Sequence, residues 1–229
     1  MATGGKVDVF EHIFRTELDH RGSWKNATRT ILIYTVNKSS WTKIQNVYLK
    51  HAEETLIKQL EKEYLMKIEK IRINVDVYIN NSPCAECADR LHAFLENYPE
   101  VQMYIYFANL YNIRRNSCIK NMTTKDEEHV WRVSNFKSIK NSMGLVMLLD
   151  HNRCTLQPFN KQTWVNLLDL LKDNRIDFNQ MYQEICGDRS REEEDAYLRE
   201  DLEIIKKEGI AMKIGMYMMV YALLFQTFL

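Results

Sequence analysis

An α/β layered sheet is the fold this chain predicts, and three observations predict it. After an opening hairpin, strand-like segments alternate with amphipathic helices in the order β-β-α-β-α-β-α-β-α-α, the pattern of a sheet covered by helices. Residues 71–79 alternate strictly, with Ile71, Ile73, Val75, Val77 and Ile79 on one face. The 229 residues include only seven Gly and three Pro, which excludes collagen-like or linker-dominated architectures. With 45% hydrophobic and 27% charged residues, global disorder is excluded as well. The length suits one generous domain or two cramped ones.

Each element has its own justification. Residues 9–18 alternate apolar and polar, residues 20–26 are turn-rich, and residues 27–36 are β-branched; together they read as the hairpin. Residues 37–50 read as a loop. From 48 to 70 the spacing becomes helical, with Leu49, Leu56, Leu60, Leu65 and Ile68 among charged residues. Asn80-Asn81-Ser82-Pro83 ends the alternating strand, and Pro83 suits the first turn of a helix over 84–98 because its missing N–H costs nothing there. Residues 101–107 predict another strand, 125–140 a charged helix, and the apolar run 144–149 a short strand. Helices follow over 162–172 and 189–207. The second has Glu192, Glu193, Glu194 and Asp195 early and Lys206 and Lys207 late, as the macrodipole prefers.

The expected division is a globular domain over 1–188 and a charged helix with a hydrophobic tail over 189–229. Residues 214–229 carry no charge, and as a helix they would span about 24 Å, short of a bilayer core of about 30 Å. Packing on the sheet or on a partner, including a second copy of the chain, is the favoured reading; membrane contact is the less favoured one. The opening Met1-Ala2-Thr3-Gly4-Gly5-Lys6 has no basic-apolar-small signal, and five scattered Cys suit a reducing compartment. A cytoplasmic or nuclear location is therefore expected.

Two fragments carry chemistry. One is His51-Ala52-Glu53-Glu54 in the 48–70 helix; the other is Pro83-Cys84-Ala85-Glu86-Cys87 at the start of the next. One imidazole and two thiolates make a three-ligand zinc site, whose fourth position stays open for water in the catalytic form. Cys-x-x-Cys at a helix N-terminus aims both sulfurs the same way, and the dipole favours thiolates. Glu53 is not needed as a ligand. It can move protons to and from a water whose pKa zinc lowers towards ~7. Taken alone, Cys84-x-x-Cys87 also describes a thioredoxin-type redox pair or a zinc ribbon. A lone His-x-Glu is usually helix surface. In order, 33 residues apart and flanking one strand, the two fragments match the pattern of zinc nucleobase deaminases.

The stretch from His51 to Tyr111 resembles the AID/APOBEC family of polynucleotide cytidine deaminases. The pieces that carry the resemblance are His51-Ala52-Glu53-Glu54, Ser82-Pro83-Cys84-Ala85-Glu86-Cys87 with Ala88-Asp89-Arg90, and Phe107-Ala108-Asn109-Leu110-Tyr111. In element order it extends over about residues 10–175. It implies a three-layer α/β/α cytidine-deaminase-like fold with a five-stranded mixed sheet. It also implies one zinc per chain and conversion of cytosine to uracil in single-stranded DNA or RNA. By the same match His51, Cys84 and Cys87 hold zinc and Glu53 is the catalytic proton shuttle. Asn37, Ser82, Tyr111, Arg114 and Arg115 are the implied substrate-binding residues. The chain departs from the family's Ser-Trp-Ser-Pro-Cys by having Asn80-Asn81-Ser82-Pro83-Cys84, and from Ala-Arg-Leu-Tyr by Asn109. These departures motivate the alternative reading, a zinc-containing member of weak or no activity that binds nucleic acid or protein. A free-nucleoside deaminase is disfavoured, because the chain extends far past a minimal core.

Charge adds a local argument. The formal net charge is zero, yet residues 1–140 carry 21 Lys+Arg against 17 Asp+Glu, and residues 141–229 carry 10 against 14. Between Asp19 and Glu53, and between Glu100 and Asp126, there is no acid. The segments 37–50 and 109–120 are expected to rim the zinc pocket, with Tyr34, Trp41, Tyr48, Tyr104, Tyr106 and Tyr111 interleaved among their cations. Basic groove plus stacking aromatics is the logic of single-strand binding. Overall neutrality makes that binding weak and salt-sensitive.

Overall fold

The computed structural model describes residues 30–47, 50–65, 72–113, 135–171 and 189–226. A five-stranded mixed sheet in the order β2-β1-β3-β4-β5 forms its centre. The strands are β1 (Ile31–Val36), β2 (Trp41–Gln45), β3 (Ile73–Asn81), β4 (Val101–Asn109) and β5 (Cys154–Pro158). β1 runs antiparallel to both β2 and β3, while β3, β4 and β5 are parallel. The helices are α1 (Ala52–Leu60), α2 (Ala85–Asn97), α3 (Asn135–Leu149), α4 (Lys161–Leu171) and α5 (Arg189–Gln226). A π-helical turn, Glu61–Leu65, continues α1. The α/β class and the five-stranded mixed sheet expected from the resemblance are observed.

The period of two in β3 and β4 builds the main core. Ile73, Val75, Val77 and Ile79, with Val101, Met103, Ile105 and Phe107, pack against Leu56 and Leu60 of α1 and Leu91, Phe94 and Leu95 of α2. On the other face a smaller cluster joins Ile31, Ile33 and Tyr78 to Phe159, Trp164, Leu167 and Leu168 under α4. The first part of α5 belongs to the main core through Leu198, Leu202 and Ile205. Trp164 Nε1 donates to buried Asp195 at 2.8 Å, tying α5 to α4. Two glycines permit the closest approaches. A Cβ on Gly209 would lie 2.3 Å from a Val146 methyl, and one on Gly144 would lie 3.0 Å from the Ala85 Cα. No helix among the described residues is long and apolar enough to cross a membrane.

Several expectations need correction. The hairpin is β1–β2, one strand later than read: residues 37–50 are not all loop, since 41–45 pair with β1. Residues 9–18 lie outside the described residues. The hairpin turn is tight because Asn37 and Lys38 both take positive φ, 51° and 57°, and the Ser39 N–H reaches the Val36 carbonyl at 3.0 Å. That is the twist-matched turn of antiparallel pairs, and Asn tolerates it well. Residues 144–149 form the buried end of α3 instead of a strand. The last strand is β5, which the sequence reading missed.

Candidate metal centre and active site

Two helix N-termini and two parallel strand ends build the site. His51 is the N-cap of α1 and Cys84 the N-cap of α2; both are extended, and neither caps its helix with its side chain. The positive dipole ends of both first turns therefore act where anionic ligands would gather. Arg90 on α2 holds Glu54 on α1 at 2.7 Å, and Tyr98 donates to Glu61 at 3.3 Å, so the two helices are tied near both ends.

His51 Nδ1 lies 3.2 Å from Cys87 Sγ and 3.5 Å from Cys84 Sγ. All three ligand atoms fall within 4.8 Å of one another. A tetrahedral zinc with Zn–N near 2.0 Å and Zn–S near 2.3 Å has N···S edges of about 3.5 Å. The donor set and its spacing thus fit zinc. The thiols behave as a pair: the Cys87 thiol hydrogen-bonds Cys84 and lowers it to about 6. The same bond, together with burial, raises Cys87. One proton leaves the pair easily and the second is held.

Glu53 sits one residue into α1 and is 5% exposed. Burial is the main reason its carboxyl is pushed up to about 7, and the thiol of Cys84 adds to the rise. The cluster thus combines a metal-binding trio with a desolvated carboxyl that changes protonation near neutrality.

A hydrogen-bonded frame holds the strand ends. Ser82 N–H donates to the Asn109 carbonyl at 2.7 Å, and Tyr111 N–H to Ser82 Oγ at 3.0 Å. Asn141 on α3 accepts from the Ala85 N–H at 3.0 Å and donates to the Tyr111 carbonyl at 2.9 Å. Burial raises the Tyr111 hydroxyl, and Cys84, Glu53 and Cys87 all add to the rise, which puts that phenol beside the trio. Lys137 Nζ stands 5.8 Å from the Tyr111 ring centre. Asn141 and Lys137 were not picked out from the sequence. They act from a helix some 30 residues away, and no local motif marks them.

The sequence-predicted residues divide accordingly. His51, Glu53, Cys84 and Cys87 come together, and Ser82 and Tyr111 border them. Arg114 and Arg115 lie outside the described residues. Asn37 is at the wrong end of the sheet. Because β1 is antiparallel to β3, the end of β1 meets the start of β3: Val36 pairs with Val75. Asn37 Oδ1 accepts from the Asn74 N–H at 2.8 Å. Seven strand residues, about 23 Å, separate Asn74 from Asn81. Asn37 and Lys38 instead line a cleft of about 830 Å³ with Asp76, Tyr104 and Tyr106, remote from the trio. Trp41 pairs with Thr35 at that same far end, and Tyr34 is core, 2% exposed. Of the interleaved aromatics, Tyr111 alone stands beside the trio among the described residues. At the site's end of β2, Asn46 Oδ1 instead accepts from the Thr30 N–H at 2.9 Å.

Comparison with known proteins agrees with the motif. A family model described as APOBEC1 matches residues 34–130, which contain His51, Glu53, Cys84, Cys87 and Tyr111. The C->U-editing enzyme APOBEC-1 of Rattus norvegicus is 28% identical over 138 residues, 53% of this chain and 58% of the relative. That of Mus musculus is 28% identical over 105 residues, 44% of each chain. The chain spans about half the length of the curated relatives it matches.

Proposed function

We propose that this chain, AID/APOBEC-like in its motifs and in the relatives it matches, is a zinc-dependent deaminase converting cytosine to uracil in single-stranded DNA or RNA. The observation that carries the proposal is the buried carboxyl of Glu53 beside an imidazole and two thiols with zinc-ligand spacing. His51, Cys84 and Cys87 would hold the metal. When bound, zinc supplies the Lewis acidity that makes water nucleophilic near neutral pH. The net reaction consumes one cytosine and one water and yields uracil and ammonia. Glu53 takes a proton from the water and delivers it to the ring nitrogen N3. It then carries the second proton to the departing amino group. Its burial keeps bulk water from competing for those protons. Tyr111 offers a ring against which a base can stack, and Lys137 beside it offers a cation to the strand backbone.

A second reading, zinc retention without turnover, is favoured by Asn81 and Asn109, which replace the family's Trp and Arg. One experiment separates the two. Purified protein should contain about one zinc per chain, and single-stranded substrates should accumulate uracil with the parent protein but not with Glu53→Ala. Equal silence of both proteins, with oligonucleotide binding intact, establishes the binder. A zinc content near zero sinks both readings.

A further inference from the structure

The core face of β3 ends in an anomaly. Ile73, Val75, Val77 and Ile79 all point under α1 and α2. The same alternation turns the next odd residue, Asn81, towards the helices whose first turns carry His51, Glu53, Cys84 and Cys87. Asn81 is 5% exposed, almost as buried as the apolar residues before it. Its side-chain nitrogen nevertheless has no hydrogen-bond partner among the described residues. Neighbouring asparagines at this sheet end are engaged: Asn80 Oδ1 accepts from the Ile31 N–H at 3.0 Å, Asn109 donates to the Asn80 carbonyl at 3.4 Å, and Asn141 bonds on both sides.

A buried donor with no acceptor costs the folded protein its desolvation, and an apolar side chain would continue the stripe without that cost. An acceptor brought by a ligand resolves the anomaly.

We infer that Asn81 is a specificity-determining residue, its amide donating to the C2 carbonyl oxygen of the target pyrimidine. This rests on the deaminase reading above. The chemistry of the base selects the partner. The exocyclic amine of cytosine is a donor and the leaving group, and N3 receives the proton from Glu53. The C2 oxygen is the acceptor that remains. Adenine carries a C–H between its ring nitrogens and offers nothing comparable, so Asn81 favours pyrimidine over adenine at a site whose zinc chemistry could serve either.

The test uses the full-length, zinc-loaded chain with Glu53→Gln, so that substrate is held without turnover. Binding is read by fluorescence anisotropy on single-stranded oligonucleotides carrying cytosine, 2-thiocytosine or adenine at one target position. The parent should bind cytosine about tenfold more tightly than 2-thiocytosine, as for the loss of one good acceptor. Asn81→Leu, and Asn81→Asp of nearly the same shape, should each lose that tenfold preference and weaken cytosine binding alike. The melting temperature of zinc-loaded Asn81→Leu should equal or exceed that of the parent. Either variant retaining the preference overturns the inference, as does a melting temperature several degrees lower in Asn81→Leu, which would reveal a partner within the protein. A parent that binds cytosine and adenine targets equally overturns the deaminase reading as well.

Discussion

Helix α2 carries a three-donor cluster near each end, and the two clusters differ in what their donors are free to do. At its start Cys84 and Cys87 meet His51; towards its end His92 and Glu96 meet His151. Both trios bring their ligand atoms within 4.8 Å. In the second, His151 Nδ1 accepts the Arg153 N–H at 3.1 Å, so the proton of the neutral ring sits on Nε2 and is donated to Glu96 at 2.9 Å. A ring nitrogen that holds a proton has no lone pair for a metal. The Arg153 guanidinium, bonded to the Leu95 carbonyl, adds positive charge nearby. In the first cluster His51 Nδ1 faces the two sulfurs, and helix dipoles favour the thiolates. Proximity of donors is common to both; free lone pairs and favourable charge distinguish the group that could hold a metal from the structural knot.

The widest expected difference is metal content. Cys84→Ser, Cys87→Ser or His51→Ala should each reduce zinc from about one per chain to near zero, measured by elemental analysis of purified protein. His92→Ala and Glu96→Gln should leave it unchanged. A loss of zinc in the His92 variant would break the comparison.

Next in size is the carboxyl inside the first cluster. Glu53→Gln should lower uracil formation by about 10²–10⁴-fold, the usual contribution of a positioned acid–base, while zinc content stays near one. The same substitution should stabilise the metal-stripped protein. Burial pushes the Glu53 carboxyl up to about 7 in the folded chain, from an ordinary 4.5. Between those values the native state keeps a proton the unfolded chain has lost, so stability falls as pH rises through the window. The total is about 3 kcal/mol. Thermal melts of the two apo-proteins should therefore coincide below pH 4.5, separate between pH 4.5 and 7 and stay apart above it, with Glu53→Gln the more stable. A parent curve flat from pH 4.5 to 7 would refute the buried-carboxyl account.

These clusters were unequally legible. The first was readable because its ligands stand in two short motifs at helix starts, where local spacing sets geometry. The second joins α2 to a turn 55 residues on, and no pattern announces that meeting. The fold shows the same divide. Residues 71–79 and 101–107 declare themselves as strands by alternation, because one face of each is apolar, whereas the ends Asn80-Asn81 and Ala108-Asn109, read as lying past the strands, belong to β3 and β4. Residues 144–149 were misread because a continuous apolar run looks the same in a buried strand and in a helix buried on several sides. Asn37 was misplaced for a different reason: strand direction decides which sheet end a loop serves, and β1 turned out to run against β3.

The smallest predicted effects test whether the second cluster is a structural knot. His151 is 6% exposed; its ring meets His92 edge-on at 5.1 Å and serves two hydrogen bonds. His151→Ala leaves the half-buried Arg153 N–H without its acceptor and opens a gap at a buried ring, which should cost about 2 kcal/mol in a denaturant melt. Glu96 is the exposed partner, its side chain 62% accessible. Glu96→Gln keeps an acceptor in place and gives up an interaction already screened by water, so the loss should stay below about 1 kcal/mol. Zinc-loaded protein should show both losses with no change in metal content. If Glu96→Gln costs as much as His151→Ala, the carboxylate charge is holding the knot together, and the bond to Arg153 is not its principal tie.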